Sequence, residues 1–355
     1  MTTPTGANTI VVYRWEDDGT FNQDVGSPSD TTDKVFGANE TLDTADFSNN
    51  PERMNRPFQR HAETILETQF DGSWSTEFVL ANTWWLQYFY GQPETNGTSA
   101  PYTHTYDTDP TVGPNDYNPP RSAHIIEEIH LPDGSVTQNV YKGVVAGSID
   151  LDVSVEDTVS ISLDGNYADS QSYDDPENNS PLGEIASQPS LDYRPMHFGN
   201  SILRLDVDAD GTAETLAKVQ DAGLGLEGNA EMTRELGTRF AVGREYLEFE
   251  PSIDYTRLLD ASFSDEERES AYGAAYNSTA SSPQETMDGA EIDGELEFDA
   301  NTSTDNKLVM NLLGAFPEEF SRSNLGDPGE ALEDDITRMI EEVTATVESD
   351  QQAPP

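Results

Sequence analysis

The chain has no cysteine, so neither disulfides nor thiolate-bound metals enter its chemistry. It is also poor in bases, with 18 Lys plus Arg against 68 Asp plus Glu, and its only lysines are Lys34, Lys142, Lys218 and Lys307. That scarcity disfavours nucleic acid and anionic membranes as binding surfaces. Long hydrophobic runs are missing: nothing approaches the roughly 18 apolar residues of a membrane span, and residues 1–13 lack the basic-then-apolar order of a secretory leader. Neither membrane insertion nor signal-directed secretion is expected. No serine-elbow, phosphate-loop or dinucleotide pattern occurs, and the five histidines, His61, His104, His124, His130 and His197, show no metal-ligand spacing. Enzyme activity, catalytic residues, bound metals and cofactors are accordingly not expected.

What the chain has in excess is acid, with a formal net charge of −50. In ordinary saline that charge strains the compact state by self-repulsion. At about 1 M salt the Debye length falls to roughly 3 Å, which screens the repulsion while hydrated carboxylates keep the surface soluble. Scarce lysine with abundant acid, Thr, Ser and Asn resembles the composition of proteins from halophilic archaea and their viruses. High charge with low hydrophobicity is also the mark of disorder. Against disorder stand 14 Tyr, 14 Phe and 4 Trp, set in alternating apolar segments that predict a mainly β protein with a sizeable core.

Residues 1–60 read as an N-terminal arm with one strand over 9–15. Its end, Arg53-Met54-Asn55-Arg56-Pro57-Phe58-Gln59-Arg60, gathers three of the few positive charges, either as a contact with an acidic neighbour or as a solvated turn. Residues 61–170 read as a first β domain. It holds strands over 64–70 and 73–80 around the turn pair Asp71-Gly72, and a short helix over 82–90 capped by Asn82 and stopped by Gly91. A long polar loop over 92–120 and an antiparallel meander over 122–168 complete it. In the meander Ile149, Leu151 and Val153 alternate with Asp150 and Asp152, and Ile161 and Leu163 with Ser162 and Asp164. Each strand thus buries one face and shows acid or hydroxyl on the other.

Residues 171–195, with Pro176, Pro181 and Pro189, read as a linker. A second β domain follows over 196–320, with strands over 201–207, 212–220, 223–231, 246–255 and 290–300, an acidic loop over 264–288, and an amphipathic helix over 305–313 ended by Gly314. Residues 321–355 read as an acidic C-terminal helix and tail. Asp327-Pro328-Gly329-Glu330 has the form of a helix cap, and Leu332, Ile336, Met339, Ile340, Val343 and Val347 fall on one helical stripe. Such a stripe docks either on the chain's own barrel or on a neighbouring subunit or ring.

Two segments parallel each other: residues 70–78 with 86–91, and residues 292–299 with 309–314, each reading as turn, strand, loop, helix and glycine. A weaker pair matches the Asp133-Gly134 hairpin and strand 147–153 with the Asp210-Gly211 hairpin and strand 223–231. A duplicated β domain with altered element order, or chance similarity among short strands, gives such a pattern. Residues 71–91, 142–167 and 293–314, about a fifth of the chain, resemble the tail tube protein (major tail protein) of siphovirus-like tailed viruses, here one infecting a halophilic archaeon. The resemblance implies two tandem tail-tube-like β-sandwich or split-barrel domains with short flanking helices. It further implies a structural virion protein, assembled in the host cytoplasm, that builds stacked rings into a tube for DNA ejection. Its partners would be itself, other tail proteins at the tube ends, and genomic DNA that passes without specific binding, with no membrane contact. The internal repeat implies a homotrimeric ring imitating a hexamer.

Asp206-Val207-Asp208-Ala209-Asp210-Gly211 reads either as a hairpin turn or as the start of a calcium loop. The twelfth position of such a loop is Ala217, where a bidentate Glu is needed, and Glu214 could offer one more oxygen. The adjacent acids Glu127-Glu128 and Asp334-Asp335 point to opposite sides on a strand and so do not make acid–base pairs. A different functional class, a secreted or surface β-sandwich binding carbohydrate through Trp84, Trp85 and the Tyr-rich loop over 102–117, is the alternative expectation.

Overall fold

The computed structural model describes residues 9–29, 31–44, 47–50, 52–54, 64–66, 69–107, 120–185, 187–191, 194–206, 213–228, 230–246, 249–259, 264–273, 281–285, 291–300, 306–324 and 331–350. The chain opens with strands β1 (Thr9–Trp15), β2 (Ala38–Asp43), β3 (Phe47–Ser48), β4 (Glu52–Met54), β5 (Thr64–Leu66) and β6 (Asp71–Val79). A 3₁₀ turn (Trp84–Leu86) runs into α1 (Gln87–Tyr90), followed by β7 (Glu94–Asn96), β8 (Tyr102–Tyr106), β9 (Ala123–His130), β10 (Val136–Ser154), β11 (Ser160–Tyr167) and β12 (Asp169–Asp174). After α2 (Pro176–Asn179) come β13 (Ser201–Leu205), β14 (Glu214–Thr215), β15 (Val219–Glu227), β16 (Ala230–Thr233), β17 (Gly243–Tyr246) and β18 (Glu250–Leu258). Helix α3 (Ser264–Ala271), β19 (Ile292–Asp299), β20 (Lys307–Ser323) and β21 (Glu333–Ser349) complete the order. The protein is mainly β, as its alternation predicts.

Every ladder is antiparallel, and β10 is the hub. Its first half pairs with β9 and β12, and its second half with β11 and β15. From there one sheet runs β6–β11–β10–β15–β18–β21–β20–β19–β13. The meander expected over 122–168 is therefore present, with its apolar residues Ile149, Leu151, Val153, Ile161 and Leu163 all buried. The ladder between β10 and β15 joins residues on either side of the expected linker. The linker itself carries the end of β12, α2 and the buried Ile185. One large apolar cluster includes Trp15, Trp74, Tyr88, Leu151, Leu224, Phe298, Met310 and Val347. The stretch expected as an arm contributes to the core: Tyr13, Trp15 and Phe36 join this cluster, Val12 and Val35 a smaller one, and β1 pairs with β9 along its length.

Several expected elements differ. Asp71-Gly72 is not a hairpin turn but the start of β6, where Gly72 leaves room for the Tyr167 ring; β5 pairs with β4 instead. Asn82 does not cap its helix: the cap position falls on Thr83, and the Asn82 side-chain amide donates to the Val35 carbonyl at 2.7 Å. Gly91 does end it, with φ of 69°. The loop over 92–120 contains β7 and β8, and β8 pairs with β21. The acidic loop over 264–288 holds α3. The strand β13 pairs briefly with β14 as a hairpin, but its turn, with Asp208, Asp210 and Gly211, lies outside the described residues.

The largest corrections concern the two helices expected at 305–313 and after 327. Both segments are strands, β20 and β21, joined in the longest hairpin of the chain. In β21 the buried residues Ile336, Ile340, Val343 and Val347 are spaced four, three and four apart, the rhythm of a helix. The cause is a joint change of face. Buried positions run 308, 310, 312 and then 315, 317 on β20, and 336, 338, 340 and then 343, 345, 347 on β21. Leu312 still faces Val343 and Ala315 still faces Ile340, so the pair stays in register while both strands skip one position. Gly314, at φ of 63°, sits at the step. The residues 325–330 expected as a helix cap lie outside the described ones.

Candidate functional site

The sheet's outer face is built by the same alternation that builds the core. Because adjacent strands are in register, the outward residues line up in rows across the sheet. One row runs Glu77, Ser162, Asp150, Gly225, Ser252 and Met339. The next runs Ser160, Asp152, Gly223, Asp254 and Thr337. On the far side of the first lie Ser75, Asp164, Ser148, Glu227 and Glu250. None of these residues is basic, and apart from Met339 and the glutamates Glu77, Glu227 and Glu250 they are short. The face is smooth, hydroxylated and acidic.

Its central carboxylates crowd one another. A side chain at Gly223 would place its first carbon 2.9 Å from Asp254 Oδ1 and 3.0 Å from Asp152 Oδ1, so the glycine leaves the gap over which both acids lean. Partial burial, then the charges of Asp152, Asp164 and Glu227, push the Asp150 carboxyl above its ordinary range. Burial and then Asp221 do the same to Asp152. Burial and then Asp152, Asp221 and Asp150 raise Asp254. Concentrated negative charge held at an energetic cost, without an answering cation in these rows, marks this face as the strongest surface candidate on the molecule.

Around it, the other acids and histidines singled out in the sequence sit in the following contacts. Glu127 accepts from Asn139 at 3.2 Å and Tyr141 at 3.3 Å, while the neighbouring Glu128 is buried on the opposite side. Asp334 is buried against Arg322 at 2.6 Å, and Asp335 turns outward to Thr256 at 3.0 Å. Each acid pair thus splits across its strand as expected. His104 is buried between Thr95 and Ser349, and exposed His197 accepts from the Gly199 amide at 3.1 Å. Of the aspartates of the candidate calcium loop, Asp206 is described and buried, with its amide donating to the Asp293 carbonyl; Asp208 and Asp210 lie outside the described residues, as do His61 and the Arg56–Arg60 stretch.

A family model described as phage tail tube protein matches residues 6–347. The chain belongs to the phage tail tube family. As a member of that family it is a structural, virion tail component that assembles into a tube with other tail components. No curated protein matches the chain. Family membership supports the tail tube reading over the alternative of a carbohydrate-binding surface protein; of the aromatic residues named for that alternative, Trp85 is buried in the core, and Lys34 Nζ lies 3.7 Å above the Trp84 ring. Tyr106 is buried as well, and Tyr117 is outside the described residues. No helix among the described residues is long and apolar enough to cross a membrane.

Two features of this tail tube chain were not legible in its sequence. One is a buried carboxylate hub at the end of β1. Glu16 accepts from the Gln23 amide at 2.9 Å, the Asn22 amide and the Gly143 amide at 3.1 Å, His124 Nε2 at 3.1 Å, and the Ser122 hydroxyl. Burial opposes its ionisation, but His124, Ser122 and Gln23 outweigh burial and hold the carboxyl below its ordinary range. The other is a cluster of Glu128, His130 and Glu184. Its members are 2 and 54 residues apart, a spacing that matches no short metal motif.

Proposed function

We propose that this protein self-assembles into stacked rings that form a tail tube, and that the acidic face of β6, β11, β10, β15, β18 and β21 lines its channel for DNA ejection. The observation that carries this reading is the base-free rows of short polar and acidic side chains across six strands. A polyanion slides past a like-charged, smooth wall, whereas scattered lysines or arginines would bind each phosphate in turn. Family membership supports the tube, and the composition supports a virus of a halophilic archaeon, with assembly in the host cytoplasm and other tail proteins at the tube ends. The stretches 61–170 and 196–320 serve as two tube-like units, meeting where β10 pairs with β15. Three such chains would then supply a ring imitating a hexamer.

The absence of cysteine makes the test clean. An Asp152→Cys protein, assembled in about 3 M salt to screen its charge and tagged with undecagold maleimide, should give gold density along the tube axis by electron microscopy. Gold on the outer wall would overturn the assignment of the face, and particles that never form rings would overturn the tube.

A further inference from the structure

We propose that Glu128, His130 and Glu184 form a binding site for a divalent transition cation of the zinc type. Each offers one ligand atom, and these atoms lie within 4.8 Å of one another. Glu128 Oε1 and His130 Nε2 are 3.2 Å apart. Around a cation with metal–ligand distances of about 2.1 Å, tetrahedral ligands stand about 3.4 Å from each other. The first pair is therefore already at coordination spacing, and the Glu184 carboxylate needs only a small movement to join it.

The second observation is the state of Glu128, which is completely buried. Its Oε2 is fully engaged, accepting from the Ile185 amide at 2.9 Å and from Gln138 Nε2 at 3.1 Å. Gln138 is itself fixed, donating to the Gly183 carbonyl at 2.8 Å and accepting from the Ser180 hydroxyl. Oε1, by contrast, is buried with the ion-pair contact to His130 Nε2, and neither atom has a hydrogen-bond partner. An orphaned buried carboxylate oxygen is costly, and a cation between the two atoms would satisfy both. Oriented by outer hydrogen bonds and presenting one free oxygen, Glu128 has the form of a metal ligand held by its supporting shell. Glu184 is exposed, which leaves a path for entry and room for water as a fourth ligand.

One imidazole with two carboxylates suits zinc, cobalt or manganese better than magnesium or calcium, which prefer oxygen alone. The cation would clip the 180–185 segment onto the end of β9, beside the small apolar cluster of Val12, Val35, Ile126, Val140 and Ile185. The role is structural, a staple outside the acidic sheet face.

With 68 acids on the chain, weak cation binding everywhere must be separated from one built site. The full-length protein in high KCl with excess Mg²⁺ is titrated with Zn²⁺ by calorimetry and with Co²⁺ by visible absorption. One equivalent should bind, give a cobalt spectrum with nitrogen ligation, and raise the unfolding temperature. His130→Asn and Glu184→Gln, both at exposed or half-exposed positions, should each weaken binding by at least about 10-fold, the loss typical of a disturbed metal shell. His197→Asn, at a separate exposed histidine, should leave it unchanged. No stoichiometric binding over the Mg²⁺ background, or binding that survives both ligand substitutions, would overturn the site.

Discussion

At the scale of single residues, the chain's acids divide into kinds that composition cannot distinguish. Glu16 is an ionised carboxylate made welcome in the interior by donors from 106 and 127 residues away, Ser122 and Gly143. No local pattern announces such a residue, because beyond the nearby Asn22 and Gln23 amides its partners meet it only after β1, β9 and β10 have assembled. Glu16→Gln should destabilise the protein by about 3 kcal/mol, since it leaves several buried donors without their charged acceptor. The folded carboxyl titrates below its unfolded value, so its contribution is complete above about pH 4.3 and is lost as pH falls through the lowered folded value. Denaturation at constant salt should therefore show wild type and variant converging in acid. A gap that stays constant down to acid pH would mean that Glu16 is not ionised in the fold.

At the scale of elements, period two was legible and its interruptions were not. The strands carrying Ile149 to Val153 and Ile161 to Leu163 alternate strictly, so their faces follow directly from the sequence. In β21 the alternation skips one position between Ile340 and Val343, and a skipped strand position is indistinguishable from a helical three-residue step in a one-dimensional pattern. Charge added to the confusion, because acids fill the outward positions of strands and helices alike. The two readings separate at adjacent residues. A helical stripe includes both Met339 and Ile340, whereas the strand exposes Met339 at 56% and buries Ile340 at 6%. Ile340→Ala should cost about 3 kcal/mol and Met339→Ala less than about 0.5 kcal/mol, measured by chemical denaturation. Equal costs would restore the helix. The candidate site was half legible: its acids were visible as outward residues, but their convergence into rows depends on the register between strands far apart in the chain.

At the scale of the whole molecule, a charge of −50 makes salt a component of stability. Burial and then the neighbouring carboxylates raise the carboxyls of Asp150, Asp152 and Asp254, so this face is one place where the repulsion acts. Groups with raised folded values favour the fold more as they take up protons, so lowering pH through the carboxylate range should stabilise this face at low salt. Replacing Asp152 and Asp254 together by Asn should lower the KCl concentration at which half the protein unfolds, with little effect at about 1 M salt where screening already acts. An unchanged salt midpoint would place the repulsion elsewhere on the surface. The joint step in β20 and β21 has a further consequence, for inheritance rather than energy. β21 pairs with β18 before the step and with β8 after it, so it ties together strands drawn from both halves of the chain. A deletion in one strand alone, unless a bulge absorbs it, would turn every residue beyond it inside out, placing acids in the core. β20 already holds one unmatched residue between Pro317 and Glu319, which face Arg338 and Thr337, so a single-residue change should be absorbed there as a bulge. Between Leu308 and Ala315, where the pairing is unbroken, length changes should be tolerated only as matched losses or gains in both strands.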